Sequence, residues 1–183
     1  MGKKTERERP SWEESYMFDA VFWATRSSCK YLQNGVVIVK DKRPIAHGYN
    51  GAPPGIENCL KIGCRKDREG VDFEDKGQGV CRGAHAETNA MDQIERKGLK
   101  GTTLYTMHLP CSACAKEIVG NGIDKVVYAR DYLEADCLTK ELFAEAGVKL
   151  VHLDIDIEKL FDMIRRVYNV GREAGKNKPM RKK

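Results

Sequence analysis

No apolar segment in this chain approaches the roughly 18 residues that a membrane-spanning helix requires. Residues 1–10 are charged and lack the apolar core of a secretory signal. No internal repeat is visible, and low-complexity sequence is confined to the two ends. These features exclude a repeat protein and an integral membrane protein. We therefore expect a globular protein of the cytoplasm that has no membrane partner.

The excess of basic residues lies at the ends of the chain. The 32 Lys and Arg outnumber the 27 Asp and Glu, which gives a net charge of +5. Residues 1–10 and 172–183 form basic tails, whereas residues 11–171 are slightly acidic in sum. A nucleic-acid-binding domain carries its positive charge on its folded part. We therefore expect one domain over residues 11–171 with solvated tails, and the body of the chain argues against a nucleic-acid partner.

Hydrophobic patterning predicts alternating strands and helices. A capping box of Ser11 and Glu14 begins a helix that extends to about Arg26. We expect an α/β protein with a mixed five-stranded sheet covered by helices on both faces. The irregular Cys-rich insertion at about 54–82 has no period, and such long segments are usually functional or internally tied. Strands are predicted at 35–40, 45–49, 102–107, 125–129 and 149–153, with a turn at 41–44, and further helices at 84–96, 112–119, 138–146 and 157–170.

The seven cysteines favour metal binding over disulfides, because their number is odd and no secretion signal is visible. Two of them belong to Pro110-Cys111-Ser112-Ala113-Cys114, and this segment follows His85-Ala86-Glu87 along the chain. One imidazole and two thiolates leave the fourth position of a tetrahedral Zn²⁺ open, as catalytic sites do. Glu87 is then placed to move protons rather than to bind the metal. This order of motifs is the signature of zinc-dependent base deaminases.

Each motif alone has a simpler explanation. A C-x-x-C near strands and helices can be a redox pair, and His-Ala-Glu can be an ordinary helix start. A non-catalytic zinc module would explain the ligands but has no need of the general base Glu87. The two motifs together, each before a predicted helix, favour the deaminase.

The chain resembles the deoxycytidylate (dCMP) deaminase family of the cytidine deaminase superfamily. The two zinc motifs identify only the superfamily. The dCMP assignment rests on Gly48-Tyr-Asn-Gly-Ala-Pro53 and on the long segment before His85, which is much shorter in deaminases that act on tRNA. The likeness extends over residues 9–153 and includes 9–12, 26–27, 37–41, 81–90, 104–105 and 126–128.

The resemblance implies a cytidine-deaminase-like three-layer α-β-α fold and hydrolysis of dCMP to dUMP and ammonia, which supplies dUMP for thymidylate synthesis. Water held on the zinc would attack C4 of the cytosine ring. Glu87 would take the water proton, deliver it to N3 and assist the departure of ammonia. The alternatives are a cytosine or adenosine deaminase acting on nucleic acid, and the non-catalytic zinc-binding module.

The resemblance also implies substrate contacts. Asn50 matches a sugar-contacting asparagine, and the backbone of Ala86 would contact the base edge. Arg26 is a candidate for the 5′-phosphate, or else a solvated charge at a helix end. Tyr132 either stacks on the substrate or simply packs in the wall of the site.

A second, structural zinc would explain how the Cys-rich insertion stays ordered, as in some members of the family. Its expected ligands are Cys59, Cys64 and Cys81 with Cys29, or with His47 in place of Cys29. The alternative is a set of free buried thiols.

The resemblance further suggests regulation by bound nucleotide. Lys40, Asp41 and Tyr49 lie where the family binds regulatory nucleotides, dCTP activating and dTTP inhibiting, with Mg²⁺ as a companion ion. The family is commonly hexameric, so we expect a homo-oligomer.

Overall fold

The computed structural model describes residues 9–72, 79–132 and 137–176. The chain divides into two compact units, residues 11–154 and the terminal segments 1–10 with 155–183. The described part of the second unit consists mainly of one amphipathic helix, Ile157–Lys176. No helix within the described ranges is long and apolar enough to span a bilayer. The predicted domain boundary at residue 171 stays a prediction.

Five strands form one mixed sheet in the order β2-β1-β3-β4-β5. The β1 strand pairs antiparallel with both β2 and β3, whereas β3, β4 and β5 run parallel. A register shift interrupts the hairpin between Ile38 and Val39. The predicted sheet is thereby confirmed, with strand ends moved by one or two residues. The strands are β1 Gly35–Lys40, β2 Arg43–Tyr49, β3 Thr103–His108, β4 Lys125–Arg130 and β5 Lys149–His152.

Helices cover both faces of the sheet, as predicted. Helix α1 packs on β1 and β3, where the Tyr16 ring lies 5.2 Å from the Tyr105 ring. The opposite face carries the main core, in which Val36 and Ile38 of β1 meet α4, α6 and α7 because side chains alternate along a strand. In the first unit the described helices are α1 Trp12–Ala24, α2 Cys59–Ile62, α3 Arg65–Glu69, α4 Ala86–Met91, α5 Arg96–Leu99, α6 Ser112–Gly120 and α7 Cys137–Ala146. We call the terminal helix Ile157–Lys176 α8.

Three local predictions were wrong in detail. The expected helix over 84–96 stops at Met91, and the chain then tightens into turns held by Gln93, whose side chain donates to the carbonyls of His47 and Asn89. The 41–44 turn is shorter, with only Asp41 and Lys42 at positive φ. The aperiodic segment contains the two short helices α2 and α3, each too short to leave a periodic pattern.

Two glycines let helices touch the sheet backbone. A Cβ at Gly35 would lie 2.0 Å from the carbonyl oxygen of Ala20 in α1. A Cβ at Gly48 would lie 2.2 Å from the carbonyl oxygen of Ala86 in α4. Both partners are backbone atoms, so no side-chain rotation relieves the overlap. Helix α4 is therefore seated directly on β2.

The segment after β2 leaves and re-enters the domain at one point. Gly51 and Ala84 form an isolated antiparallel bridge, with N–H···O distances of 3.2 and 2.8 Å. Part of the Cys-rich insertion is also tied to the loop after α1, because Lys30 and Tyr31 both donate to the Asp67 carboxylate. The expectation that the aperiodic segment is internally tied agrees with these contacts.

The capping box of α1 is present as predicted. The Ser11 hydroxyl accepts the Glu14 N–H at 3.1 Å, and Glu14 accepts the Ser11 N–H at 2.7 Å. Ser11→Ala should lower the free energy of unfolding by about 1 kcal/mol, measured by urea denaturation, because one helix N–H loses its acceptor. Ser11→Thr keeps the hydroxyl and should stay near the original stability; equal losses in both variants would contradict the capping role.

Candidate active site

Two helix starts bring the predicted metal ligands together. His85 is the N-cap residue of α4, and Cys111 is the N-cap residue of α6. Neither side chain caps its own helix, so both are available for other partners. The Gly51–Ala84 bridge and the contact at Gly48 fix where α4 begins. The end of β3 leads directly into Cys111 and α6.

The three donor atoms have the spacing of a metal site. His85 Nδ1 lies 3.2 Å from Cys114 Sγ and 3.4 Å from Cys111 Sγ. Two ligands at about 2.0 and 2.3 Å from a tetrahedral Zn²⁺ are about 3.5 Å apart. Among the described residues, His85, Cys111 and Cys114 are also the group of His, Cys, Asp or Glu whose ligand atoms all lie within 4.8 Å. The arrangement therefore fits a zinc ion with three protein ligands.

The electrostatics of this group also suit a cation. A hydrogen bond from Cys114, together with the nearby His85, lowers the pKa of the Cys111 thiol to about 4. The hydrogen bond to Cys111 raises the pKa of His85 to about 9 and also raises the pKa of the Cys114 thiol. Cys111 is thus the donor most easily converted to a thiolate. All three groups would hold Zn²⁺ in their deprotonated forms, since metal ligands must be deprotonated.

Glu87 lies beside the three donors in the buried first turn of α4. Its Oε2 is 3.6 Å from Cys114 Sγ, and the residue is 3% exposed. Burial raises the pKa of the Glu87 carboxyl, which suits a group that must both accept and release a proton near neutral pH. Its role as a proton carrier stays a prediction that this placement favours.

Thr88 connects the two ligand-bearing helices on their exposed side. Its hydroxyl donates to Glu117 Oε2 at 2.8 Å, which joins α4 to α6. The relative position of the imidazole and the two thiols is thus held by side chains as well as by the sheet.

Asn34 is a buried residue of this site that sequence reasoning missed. Its Nδ2 donates to Glu87 Oε1 at 3.2 Å, and its Oδ1 accepts the His108 N–H at 3.2 Å. An asparagine directly before a glycine is typical of a turn, and its partners here are distant in sequence. His108 itself lies at the end of β3, where burial lowers the pKa of its imidazole.

Two of the predicted substrate contacts, Asn50 and Ala86, lie on either side of the Gly51–Ala84 bridge. Asn50 precedes the Gly51–Ala84 bridge, and its side chain bonds to Leu32 O and to the Asn34 N–H, both at 2.8 Å. Ala86 is fully buried, and its carbonyl faces Gly48, which leaves its amide as the group to meet a base. These two residues lie next to the site as predicted, while their roles stay predictions.

Tyr132 and Arg26 differ in their relation to the donors. Tyr132 is half-buried, and burial, followed by the charges of Cys111 and Glu87, raises its pKa. Arg26 is exposed, and its guanidinium lies 6.0 Å from the centre of the Tyr49 ring. No contact in the described residues brings Arg26 to the three donors.

The four remaining predicted metal ligands are neighbours but do not form a tight group. Burial raises the pKa of the Cys59 thiol, and the charges of Cys64, Cys81 and Cys29 add to this effect. Their sulfur atoms are not gathered within 4.8 Å, as those of the candidate zinc site are. His47, the alternative fourth ligand, bonds through Nε2 to Asp19 at 3.1 Å and stacks on Trp23, so the structure favours Cys29.

The predicted regulatory residues are not brought together within one chain. Lys40 pairs with Arg43 at the turn of the β1–β2 hairpin, and Asp41 is in that turn. Tyr49 pairs with Gly35 at the other end of the hairpin, about 17 Å away at the rise of a strand. The Lys40 ammonium donates to the carbonyl of Gly98 at 3.1 Å.

Comparison with known families gives a match over most of the described first unit. Residues 10–130 match the model of the cytidine and deoxycytidylate deaminase zinc-binding region. ComE operon protein 2 of Bacillus subtilis is 37% identical over 161 residues, which are 87% of this chain and 79% of that protein. The deoxycytidylate deaminase of Mycobacterium phage D29 is 39% identical over 67% of this chain and 98% of its own length.

Solved structures show the same architecture. The dCMP deaminase of cyanophage S-TIM5, in complex with dCMP and dUMP, has a TM-score of 0.64 and 29% identity, and the match covers 80% of this chain and all of that one. A deaminase–reductase from Thermotoga maritima has a TM-score of 0.55 and 25% identity over 77% of this chain and 36% of that one.

Proposed function

The chain belongs to the cytidine and deoxycytidylate deaminase family, and from this premise we propose that it hydrolyses dCMP to dUMP and ammonia. The observation that carries the proposal is the group of His85, Cys111 and Cys114 beside the buried carboxyl of Glu87. The choice of dCMP over other possible substrates is supported by the phage D29 relative and by the cyanophage structure with dCMP and dUMP bound.

His85 Nδ1 and the sulfurs of Cys111 and Cys114 would hold the zinc ion. When bound, Zn²⁺ lowers the pKa of a coordinated water to about 7 and so supplies a nucleophile at neutral pH. Glu87 would take a proton from the attacking water and deliver it to N3 of the ring while the water oxygen bonds to C4. It would then move the remaining proton of that oxygen to the amino group, so that the C4–N bond breaks and ammonia leaves. Water and dCMP thus give dUMP and ammonia, with Glu87 returned to its starting state. Its burial keeps bulk water from competing for that proton.

Four residues are proposed to hold the substrate. The amide of Ala86 would meet the base edge, and the free hydrogen-bonding capacity of the Asn50 amide would meet a sugar hydroxyl. Tyr132 would form part of the wall next to the base. For the 5′-phosphate we propose Arg26, whose planar guanidinium suits that anion.

The single test of this function is a comparison of ammonia release from dCMP, from cytidine, and from a tRNA or single-stranded DNA. We expect release from dCMP to exceed release from the other substrates. Release from nucleic acid without release from dCMP would replace the proposal with a nucleic-acid deaminase.

We further propose a second zinc held by Cys29, Cys59, Cys64 and Cys81. The charges of Cys64, Cys81 and Cys29 each raise the pKa of the Cys59 thiol, and the Gly83 N–H donates to Cys81 Sγ at 3.4 Å; both observations support the proposal. Cys59→Ser should lower the zinc content from two ions per chain to one and lower the melting temperature, because the Cys-rich insertion loses its tie. Zinc analysis of the purified chain is the measurement, and one ion per chain before and after the change would contradict the second site.

Regulation, assembly and location are proposed on the resemblance. A dCTP–Mg²⁺ or dTTP effector is proposed to use Lys40 and Asp41 at one end of the β1–β2 hairpin and Tyr49 at the other. The proposed homo-oligomer, such as a hexamer, rests on the resemblance alone. Six cysteines are free, which supports a reducing compartment such as the cytoplasm: Cys29, Cys59, Cys64, Cys81, Cys111 and Cys114.

A further inference from the structure

We propose that Asn34 is the positioning residue that aims the Glu87 carboxylate, an inference that rests on the proposed deaminase function. Asn34 is 6% exposed and lies in the connection just before β1, outside both sequence motifs. Its Nδ2 is 3.2 Å from Glu87 Oε1. The other carboxylate oxygen, Oε2, faces Cys114 Sγ. One oxygen is thus held on the sheet side while the other faces the metal ligands.

The orientation of the Asn34 amide is fixed by its own partners. Oδ1 faces the backbone N–H of His108, which can only donate, so the NH₂ group must point the other way. Its two hydrogens then go to Glu87 Oε1 and to Thr106 Oγ1, and the Thr106 hydroxyl donates to the His108 carbonyl at 3.0 Å. A flipped amide would set its NH₂ against the His108 N–H and its oxygen against the Glu87 carboxylate. Asn34 therefore presents a hydrogen, not a lone pair, to Glu87.

The same residue holds the candidate sugar contact through its backbone. The Asn34 N–H donates to Asn50 Oδ1 at 2.8 Å, and the Asn34 carbonyl accepts the Asn50 N–H at 3.2 Å. One residue thus sets the position of the proton carrier through its side chain and the position of Asn50 through its main chain. A substitution that changes only the side chain should disturb Glu87 and leave Asn50 in place.

The central test is Asn34→Asp, which keeps the shape and the acceptor for His108 but turns the donor toward Glu87 into an oxygen. We expect kcat to fall about 10²-fold, because a misaimed proton carrier costs that much, with KM changed less than about threefold. The zinc content should stay unchanged. The kinetic measurement uses whichever of dCMP, cytidine and nucleic acid releases ammonia, so a wrong substrate assignment does not affect it.

A stability measurement tests the contact without any turnover. Asn34→Asp places two carboxyl groups together, and we expect the melting temperature to fall by about 5 °C. Adding Glu87→Gln restores a donor–acceptor pair in the reverse sense and should recover most of that loss. If the double variant melts no higher than Asn34→Asp alone, the Asn34–Glu87 contact is not formed and the proposal is overturned.

Thr102→Val is the matched control for a purely structural role. Thr102 is 1% exposed, and its hydroxyl donates to the Leu99 carbonyl at 2.7 Å, outside the hydrogen bonds of Asn34. The change removes one buried hydrogen bond without a change of shape, and we expect a lower melting temperature with kcat within about threefold of the original. An equal loss of kcat in Thr102→Val and Asn34→Asp, or an unchanged kcat in Asn34→Asp, would overturn the positioning role.

Discussion

Glu87→Gln should lower kcat about 10³-fold while the zinc content stays unchanged. The amide cannot take the proton of the attacking water, and general acid–base catalysis by a placed side chain contributes about 10² to 10⁴-fold. The amide still fits the buried space, and its oxygen can accept a hydrogen from the Asn34 side-chain Nδ2 as Oε1 does now. Steady-state kinetics with dCMP and zinc analysis of the same preparation are the two measurements.

The matched control is Glu117→Gln, the same change on the neighbouring ligand-bearing helix. Glu117 is exposed and bonds to Thr88 rather than to the buried cluster. Glutamine keeps an oxygen that accepts the Thr88 hydroxyl, so Glu117→Gln should change kcat by less than about tenfold. Full turnover by Glu87→Gln would remove Glu87 from its proposed role. Loss of zinc in that variant would instead make Glu87 part of the metal site.

Among single methyl groups added at the candidate active site, the one in Gly48→Ala should be the most damaging. The new Cβ would lie 2.2 Å from the carbonyl oxygen of Ala86 and 2.7 Å from the N of Ala90. Because both are backbone atoms, α4 must move away from β2, and His85 and Glu87 move with it. We expect a loss of about 3 kcal/mol in the free energy of unfolding and at least a 10²-fold loss of activity.

Gly83→Ala controls for the loss of a glycine near the same helix. Its Cβ would meet nothing nearer than 3.6 Å, an ordinary contact. Its melting temperature and zinc content should stay close to those of the original protein. If Gly48→Ala also keeps its zinc and its melting temperature, the backbone of α4 does not lie directly against Gly48 of β2.

The sequence predicted the metal ligands because their spacing is local. Cys111 and Cys114 lie in one helix turn, and His85 and Glu87 lie in another. The motif can therefore be recognised without knowing how the strands pair. The strands were predictable for the same reason, since the β-branched run of β1 has an unambiguous period. Both depend on residues that are near one another in the chain.

What the sequence did not predict depends on distant partners. Asn34 meets Glu87 and His108 only after β1 and β3 pair, and an asparagine before a glycine is by itself typical of a turn. His47 fits a zinc ligand by residue type alone, and only the fold brings Asp19 of α1 beside it. The early end of α4 depends on Gln93 reaching the backbone of β2. In each case a contact between residues that are distant in sequence decides between roles or helix ends that the local sequence pattern does not distinguish.

The bridge between Gly51 and Ala84 also has a consequence for how this architecture can change in length. Everything from residue 52 to residue 83 begins and ends at one hydrogen-bonded pair, so insertions or deletions there need not move Asn50 or His85. The entropic cost of closing a flexible loop rises by only about 0.6 kcal/mol for each doubling of its length. Versions of this segment that differ in length but keep Cys59, Cys64 and Cys81 are therefore compatible with an unaltered catalytic centre, which makes it the natural place to graft new recognition onto the enzyme.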